Sequence, residues 1–260
     1  MHGNVPALDA LLRAAGVMDE GGERLDGDFT VVSIGDLVDG RMKTQDQDEA
    51  ILKRADSLVD FIVMGNHEWP FFGGMHFNHY HPAPPVRSML NGYAMRGALG
   101  VTFRVGDTLL THAGVAREYD FATAEEAQAA VEDAWNNLDV YSINRMTGYQ
   151  HLREHSFQFG EGDRQYDMPK GQLVAGIPYV RQGQDRPGGV LWSDWNEPKN
   201  TNFNQVLGHT PVPEGPALTQ YMQGETYTLN IDTGAKGGGV VPAVWLDGET
   251  GEIIDFVEVD

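Results

Sequence analysis

Two short turns rich in acids and amides, each set directly behind an apolar run, constrain this chain more than any other feature. The first is Gly35-Asp36-Leu37-Val38-Asp39-Gly40, which follows Phe29-Thr30-Val31-Val32-Ser33-Ile34. The second is Gly65-Asn66-His67-Glu68, which follows Phe61-Ile62-Val63-Met64. His112 ends a third such run, Thr108-Leu109-Leu110-Thr111, and His209 ends a fourth, Val206-Leu207-Gly208. Metal ligands and a proton donor held at strand ends make a site for metal-assisted hydrolysis. Phosphate esters are the leading substrate class for such a site.

Composition narrows the field. A chain of 260 residues with 41% hydrophobic content has enough apolar surface for a full core, as one domain with or without insertions. No stretch approaches the apolar length of a membrane span and no signal peptide stands at the start, so a cytoplasmic protein is expected. The absence of cysteine removes disulfides, thiolate metal sites and cysteine-dependent phosphatase chemistry. A formal charge of −20 repels nucleic acid backbones and anionic membranes, so neither is expected as a partner.

Helical and strand patterns alternate. Pro6 to Ala15 reads as a helix capped by Asn4, with Leu8, Leu11 and Leu12 on one face and Gly16 at the end. Strands are expected at 29–34 and 60–64, with a helix over about 44–58 between them. Gly106-Asp107 turns a hairpin between 101–105 and 108–111, and a helix is expected over 123–138. Further strand patterns lie at 190–192, 205–207, 227–232, 240–246 and 253–259. The irregular stretch rich in Gly, Gln and Arg falls within an expected insertion or cap at about 120–189, carried on a single domain over 1–260. His76, His79 and His81 stand among Phe77, Tyr80 and Pro82 and read as an aromatic loop rather than a metal site. Gly237 to Gly239 lack a Walker lysine and read as a turn.

Asp36-Leu37-Val38-Asp39, Gly65-Asn66-His67-Glu68, His112-Ala113-Gly114 and Gly208-His209-Thr210-Pro211 follow one another in order. In order and spacing they resemble the motifs of the calcineurin-like metallophosphoesterases. Leu191-Trp192-Ser193-Asp194 and Asn230-Ile231-Asp232-Thr233-Gly234-Ala235 are similar to segments of the phosphoprotein phosphatase branch, which includes bacterial and phage enzymes and diadenosine tetraphosphatase-like ones. The resemblance implies an α/β (α+β) fold of two packed mixed β-sheets flanked by helices, a four-layer sandwich. It also implies two divalent metals, Mn, Fe or Zn, about 3.5–4 Å apart, with a bridging hydroxide attacking phosphorus in line. By match of motif, Asp36 bridges both ions, Asn66, His112 and His209 complete the second site, and His2 serves the first. His67 is then the general acid, oriented by Asp39, whose carboxylate favours the imidazolium. The substrate is a phosphorylated protein or a small phosphorylated or nucleotide compound.

Three departures from the family pattern bear on activity. The family opens its first motif with Asp-x-His-Gly, whereas this chain reads Met1-His2-Gly3-Asn4. The ligand aspartate and its strand therefore fall beyond Met1: either the native start lies upstream or one ligand of the first metal is missing. Asp39 is followed by Gly40 and then Arg41, not by Arg-Gly, which leaves Arg41 as a displaced candidate for phosphate binding. Where the family places a phosphate-binding arginine, from Trp195 to Val206, the basic residue is Lys199, which holds phosphate as a point charge. Asn66 joins Arg41 and Lys199 as a candidate contact to substrate. The alternative to an active phosphatase is a catalytically impaired metal-binding or interaction protein that keeps the fold.

Overall fold

The computed structural model describes residues 2–38, 44–72, 84–137, 170–181, 187–212, 226–234 and 241–259. The first helix, α1 (Val5–Ala14), forms as its sequence dictates. Asn4 Oδ1 accepts from the Ala7 N–H at 3.3 Å, proline sits in the first turn, and Leu8, Leu11 and Leu12 are buried on one face. In α2 (Gln45–Leu58) the Thr44 N–H donates to Gln47 Oε1 at 2.9 Å, and Ile51, Leu52, Ala55 and Leu58 make the buried stripe. Two further helices, α3 (Pro84–Met95) and α4 (Ala124–Asn136), bury Val86, Leu90 and Tyr93, and Ala127, Val131 and Ala134. A short helix, α5 (Lys170–Ala175), follows. No helix among the described residues is long and apolar enough to cross a membrane.

The strands are short and fall into three sheets. β1 (Val32–Ser33), β2 (Phe61–Val63) and β3 (Leu99–Gly100) are all parallel, in that order. β4 (Phe103–Val105), β5 (Thr108–Leu110), β6 (Asn204–Leu207) and β7 (Thr228–Asn230) form a mixed sheet, antiparallel only between β4 and β5. β8 (Val241–Leu246) and β9 (Ile253–Val259) pair as a hairpin. Val63, Leu110, Val206 and Leu229 are buried where the first two sheets face each other, with Val32, Ile34 and Val244 packed against them. The larger core lies on the helix side of the first sheet, around Ile51, Leu52, Ile62, Leu90 and Val131. Sheets packed together and flanked by helices are the architecture expected, although the first sheet is wholly parallel among the described residues.

Two expectations change and one helix is added. The strand read over 29–34 keeps only Val32 and Ser33, because the side chain of Asp60 takes the Val31 N–H at 2.7 Å and ends the ladder. Residues 190–192 are a buried turn, not a strand. The Val190 and Leu191 N–H groups donate to Leu173 and Val174 carbonyls, and the Trp192 N–H closes back on Gly189. A short apolar run signals burial without fixing strand geometry. The helix α3, led by Pro84 and Pro85, was not foreseen; proline in a first turn is a helix start as readily as a loop. The histidine cluster at 76–81 and the glycines at 237–239 lie outside the described residues, as does 138–169 of the expected insertion.

Candidate metal centre

The two acidic turns meet backbone to backbone. Gly35 has φ +93°, and a Cβ there would lie 2.5 Å from the Gly65 nitrogen; a Cβ on Gly65 would lie 2.3 Å from Asp36 Oδ1. Neither position tolerates a side chain. Glu68, fully buried, ties the turns together. Its carboxylate accepts from the N–H groups of Gly65 (2.9 Å), Asp36 (2.9 Å), Leu37 (2.7 Å) and Val38 (3.1 Å). The sequence showed Glu68 only as part of a motif, and its work as the clasp of the Asp36 turn emerges from the fold.

The side chains that this clasp positions converge. His112 Nδ1 lies 2.7 Å from the Ile34 carbonyl. A carbonyl only accepts, so Nδ1 carries the proton and Nε2 offers a lone pair. That Nε2 lies 3.0 Å from Asn66 Oδ1, 3.2 Å from His209 Nδ1 and 3.4 Å from Asp36 Oδ1. His209 Nδ1 is itself 2.9 Å from Asn66 Oδ1. Four electron-rich atoms thus crowd one point with at most one proton to share, which fits a divalent cation. The donor set of carboxylate, amide oxygen and imidazoles suits a borderline first-row metal. The His209 ring also has a buried Nε2 without a hydrogen-bond partner among the described residues.

A second, looser group shares Asp36. His2 Nε2 stands 3.6 Å and His67 Nε2 3.9 Å from Asp36 Oδ2, with the two rings edge to face at 4.6 Å. His2 is oriented by Nδ1, which donates to the Val38 carbonyl at 3.3 Å, and the His67 N–H donates to Asp36 Oδ1 at 3.2 Å. His2, Asp36 and His67, and Asp36, His112 and His209, are the two groups among the described residues able to hold a metal.

Charge and strain follow the same pattern. Burial opposes the Asp36 carboxylate, but His112, His67, His2 and His209 outweigh it and hold its pKa below the usual range. Burial, with help from His112, pushes His209 well below an ordinary histidine, so its ring stays neutral and able to ligate. Four non-glycine residues among those described have left-handed backbone, and three of them are His2, Asp36 and His209. Such strain collects where geometry is imposed by function.

The cluster opens into a cleft of about 2040 Å³ whose lining includes Arg181 and Trp192. Arg181 was missed by sequence reasoning, since it sits in an irregular stretch with no motif around it. Its Nη2 is held by Thr210 Oγ1 at 2.9 Å and Asp194 Oδ2 at 3.1 Å, while its buried Nε has no partner among the described residues. Lys199 is placed otherwise than expected. Its buried ammonium donates to Ser193 Oγ at 2.6 Å and to the Asp194 carbonyl at 2.5 Å, and burial lowers its pKa to about 8. It pins the turn that carries Asp194 and is not among the residues lining the cleft. Asp39 and Arg41 lie outside the described residues.

The sequence matches the calcineurin-like phosphoesterase family over residues 1–232. Among solved structures it is similar to a cold-active protein-tyrosine phosphatase of the psychrophile Shewanella sp., with TM-score 0.57 and 17% identity across 97% of this chain and 74% of that one. A further structure of a cold-active protein tyrosine phosphatase aligns with TM-score 0.52 and 17% identity, over 97% and 70% of the two chains. At this identity the likeness carries the fold alone. No curated protein sequence matches the chain.

Proposed function

The chain belongs to the calcineurin-like phosphoesterase family, and on that premise we propose that it is a metal-dependent phosphatase acting on phosphate monoesters of a protein or of a small molecule or nucleotide. The observation that carries this reading is the convergence of Asp36, Asn66, His112 and His209 on one point, with His67 beside them. Asp36, Asn66, His112 and His209 would hold one divalent ion, and His2 with the other oxygen of Asp36 a second; Mn, Fe and Zn all suit these donors. Ions so held supply Lewis acidity and a water of lowered pKa.

The chain's own groups do the rest. Arg181, anchored through Nη2 by Thr210 and Asp194, would present its remaining N–H groups to the phosphoryl oxygens, and Asn66 would be a further contact to the ester. His67 would donate a proton to the leaving oxygen, with Asp39 as its orienting carboxylate. Composition supports a cytoplasmic setting.

Hydrolysis of p-nitrophenyl phosphate by metal-stripped protein, reloaded with manganese, iron or zinc, tests the reading. Turnover should return with metal and stay absent in His209→Ala; hydrolysis indifferent to metal would refute it. One observation favours the non-catalytic alternative: once His67 is reserved as acid, His2 and Asp36 are what remain for the first ion among the described residues. Protein that binds metal yet hydrolyses no phosphate monoester with any of the three would establish it.

A further inference from the structure

At the rim of the cleft, Arg181 is preceded by two large side chains that the fold leaves in water. The run from Leu173 to Pro178 is buried, and Tyr179 and Val180, which come next, are 71% and 61% exposed. The other large apolar residues exposed among those described, Leu25, Met95 and Ile254, stand apart from one another in sequence. Single exposures of that kind are ordinary, whereas an adjacent pair beside a candidate site calls for a partner.

The pair is firmly held. Tyr179, Val180 and Arg181 form one 3-10 turn, in which the Arg181 N–H donates to the Pro178 carbonyl at 2.9 Å. Just before it, the Gly189 N–H donates to the Gly176 carbonyl at 2.9 Å, and Ile177 packs into the larger core. The Arg181 guanidinium is tied to Asp194 and to Thr210, the residue after His209. Val180 and Arg181 both line the cleft that holds Asp36, Asn66 and His209. One turn thus carries the cation of the candidate site and an apolar surface next to it.

The charges in the cleft fit one phosphate better than several. Among the described residues its arginines are Arg181 and Arg104, and Arg104 is engaged by Gln128 Oε1 at 3.0 Å and the Gly106 carbonyl at 2.8 Å. Asp232, Asp247 and Glu249 line the same cleft, and the chain carries a formal charge of −20. A nucleoside polyphosphate would bring further anionic groups with no further described arginine to meet them. A single phosphate on an apolar body meets no such opposition.

We propose that Tyr179 and Val180 form a recognition rim for a phosphoprotein, taking an apolar side chain about one to three positions from the phosphorylated residue, at about 3.3 Å per residue of extended peptide. The assignment rests on the proposed function for the seating of the phosphoryl group at Arg181. Seating a leucine on the rim covers apolar surface of both partners, and a turn already fixed loses little freedom in doing so. A small phosphorylated compound whose body ends inside the cleft would leave the pair in water.

The test reads binding to the manganese-loaded protein by fluorescence anisotropy. The probes are labelled peptides that carry a non-hydrolysable phosphonate in place of phosphoserine. One peptide is flanked by glycine and serine alone, and the others have a single leucine at each of the three positions on either side. At least one leucine peptide should bind the parent about tenfold or more tightly than the leucine-free one. The double variant Tyr179→Ser, Val180→Ser should lose that advantage while keeping its metal content and melting temperature, and Tyr179→Phe should keep it. Val180→Asp alone gives the same reading should the double variant fold poorly. Equal affinity for all the peptides, binding by none, or an advantage that survives both variants overturns the proposal. So does a Tyr179-dependent preference for adenosine monophosphate over glycerol phosphate as competitor, which would assign the rim to a nucleotide base. Because a phosphonate is not turned over, the result is separate from catalysis: protein that hydrolyses no p-nitrophenyl phosphate would strike the phosphatase reading and still show or lack the leucine preference.

Discussion

The two halves of the candidate metal centre share Asp36 but are built differently. On one side, Asn66, His112 and His209 bring their donor atoms within 3.4 Å of one another or of Asp36 Oδ1. Those residues follow β2, β5 and β6, strands paired on both sides or, for β5 and β6, set within a four-stranded sheet. On the other side, His2 and His67 stand 3.6 and 3.9 Å from Asp36 Oδ2, and His2 leans on the turn after β1, an edge strand of its sheet among the described residues. Affinity for an ion depends on donors already held in place, so the lesson of the contrast is that anchorage, not ligand type, separates the halves.

The strongest way to break this comparison is to remove what the halves share. Asp36→Asn should abolish tight metal binding and reduce phosphatase turnover by more than roughly a hundredfold, since even second-layer partners of a metal cost ten- to a hundredfold; metal analysis and steady-state kinetics check both. Next comes the loose half. His67→Asn should lower turnover of alkyl phosphates by about 10²-fold or more, p-nitrophenyl phosphate far less, because its leaving group needs little protonation. Metal content should hardly change, and Asp39→Asn should act as a milder version. Equal losses on both substrates would make His67 a binding or structural group.

Arg181→Lys keeps the charge but loses the forked geometry, and should raise KM for phosphate monoesters roughly tenfold while leaving metal content intact. The smallest effect concerns Lys199. Its folded pKa, about 8, lies below the usual lysine value of 10.5, so the folded state binds fewer protons between those pH values. Stability due to this residue should therefore rise from pH 8 toward 10.5, and the cost of its burial is greatest below pH 8. In denaturant melts across pH 7–10 the parent should gain stability relative to Lys199→Met as the pH rises; parallel curves would contradict the buried placement.

What could be read in advance follows from how local each signal is. The helix α1 and the strand β9 are set by caps, turn residues and periodicity within their own segments, and they fall where the sequence puts them. The donors Asp36, Asn66, His112 and His209 could be recognised because each follows an apolar run, and strand ends in a layered sheet converge. Arg181 could not, because its placement depends on Thr210 and Asp194, residues 29 and 13 positions away whose approach only the fold supplies. Lys199 misled for another reason: its partners, Ser193 Oγ and the Asp194 carbonyl, stand only six and five positions away, but it is the folding of the intervening turn that points the ammonium inward to donate to them. The turn at 190–192 carries strand-like side chains, but its backbone is claimed by α5.

Metal analysis after exhaustive dialysis tests the central contrast most directly. Protein saturated with manganese and dialysed should retain one tightly held equivalent per chain, lost in His112→Ala and retained in His2→Ala. Two tightly held equivalents, or one that disappears with His2 and survives without His112, would contradict the account.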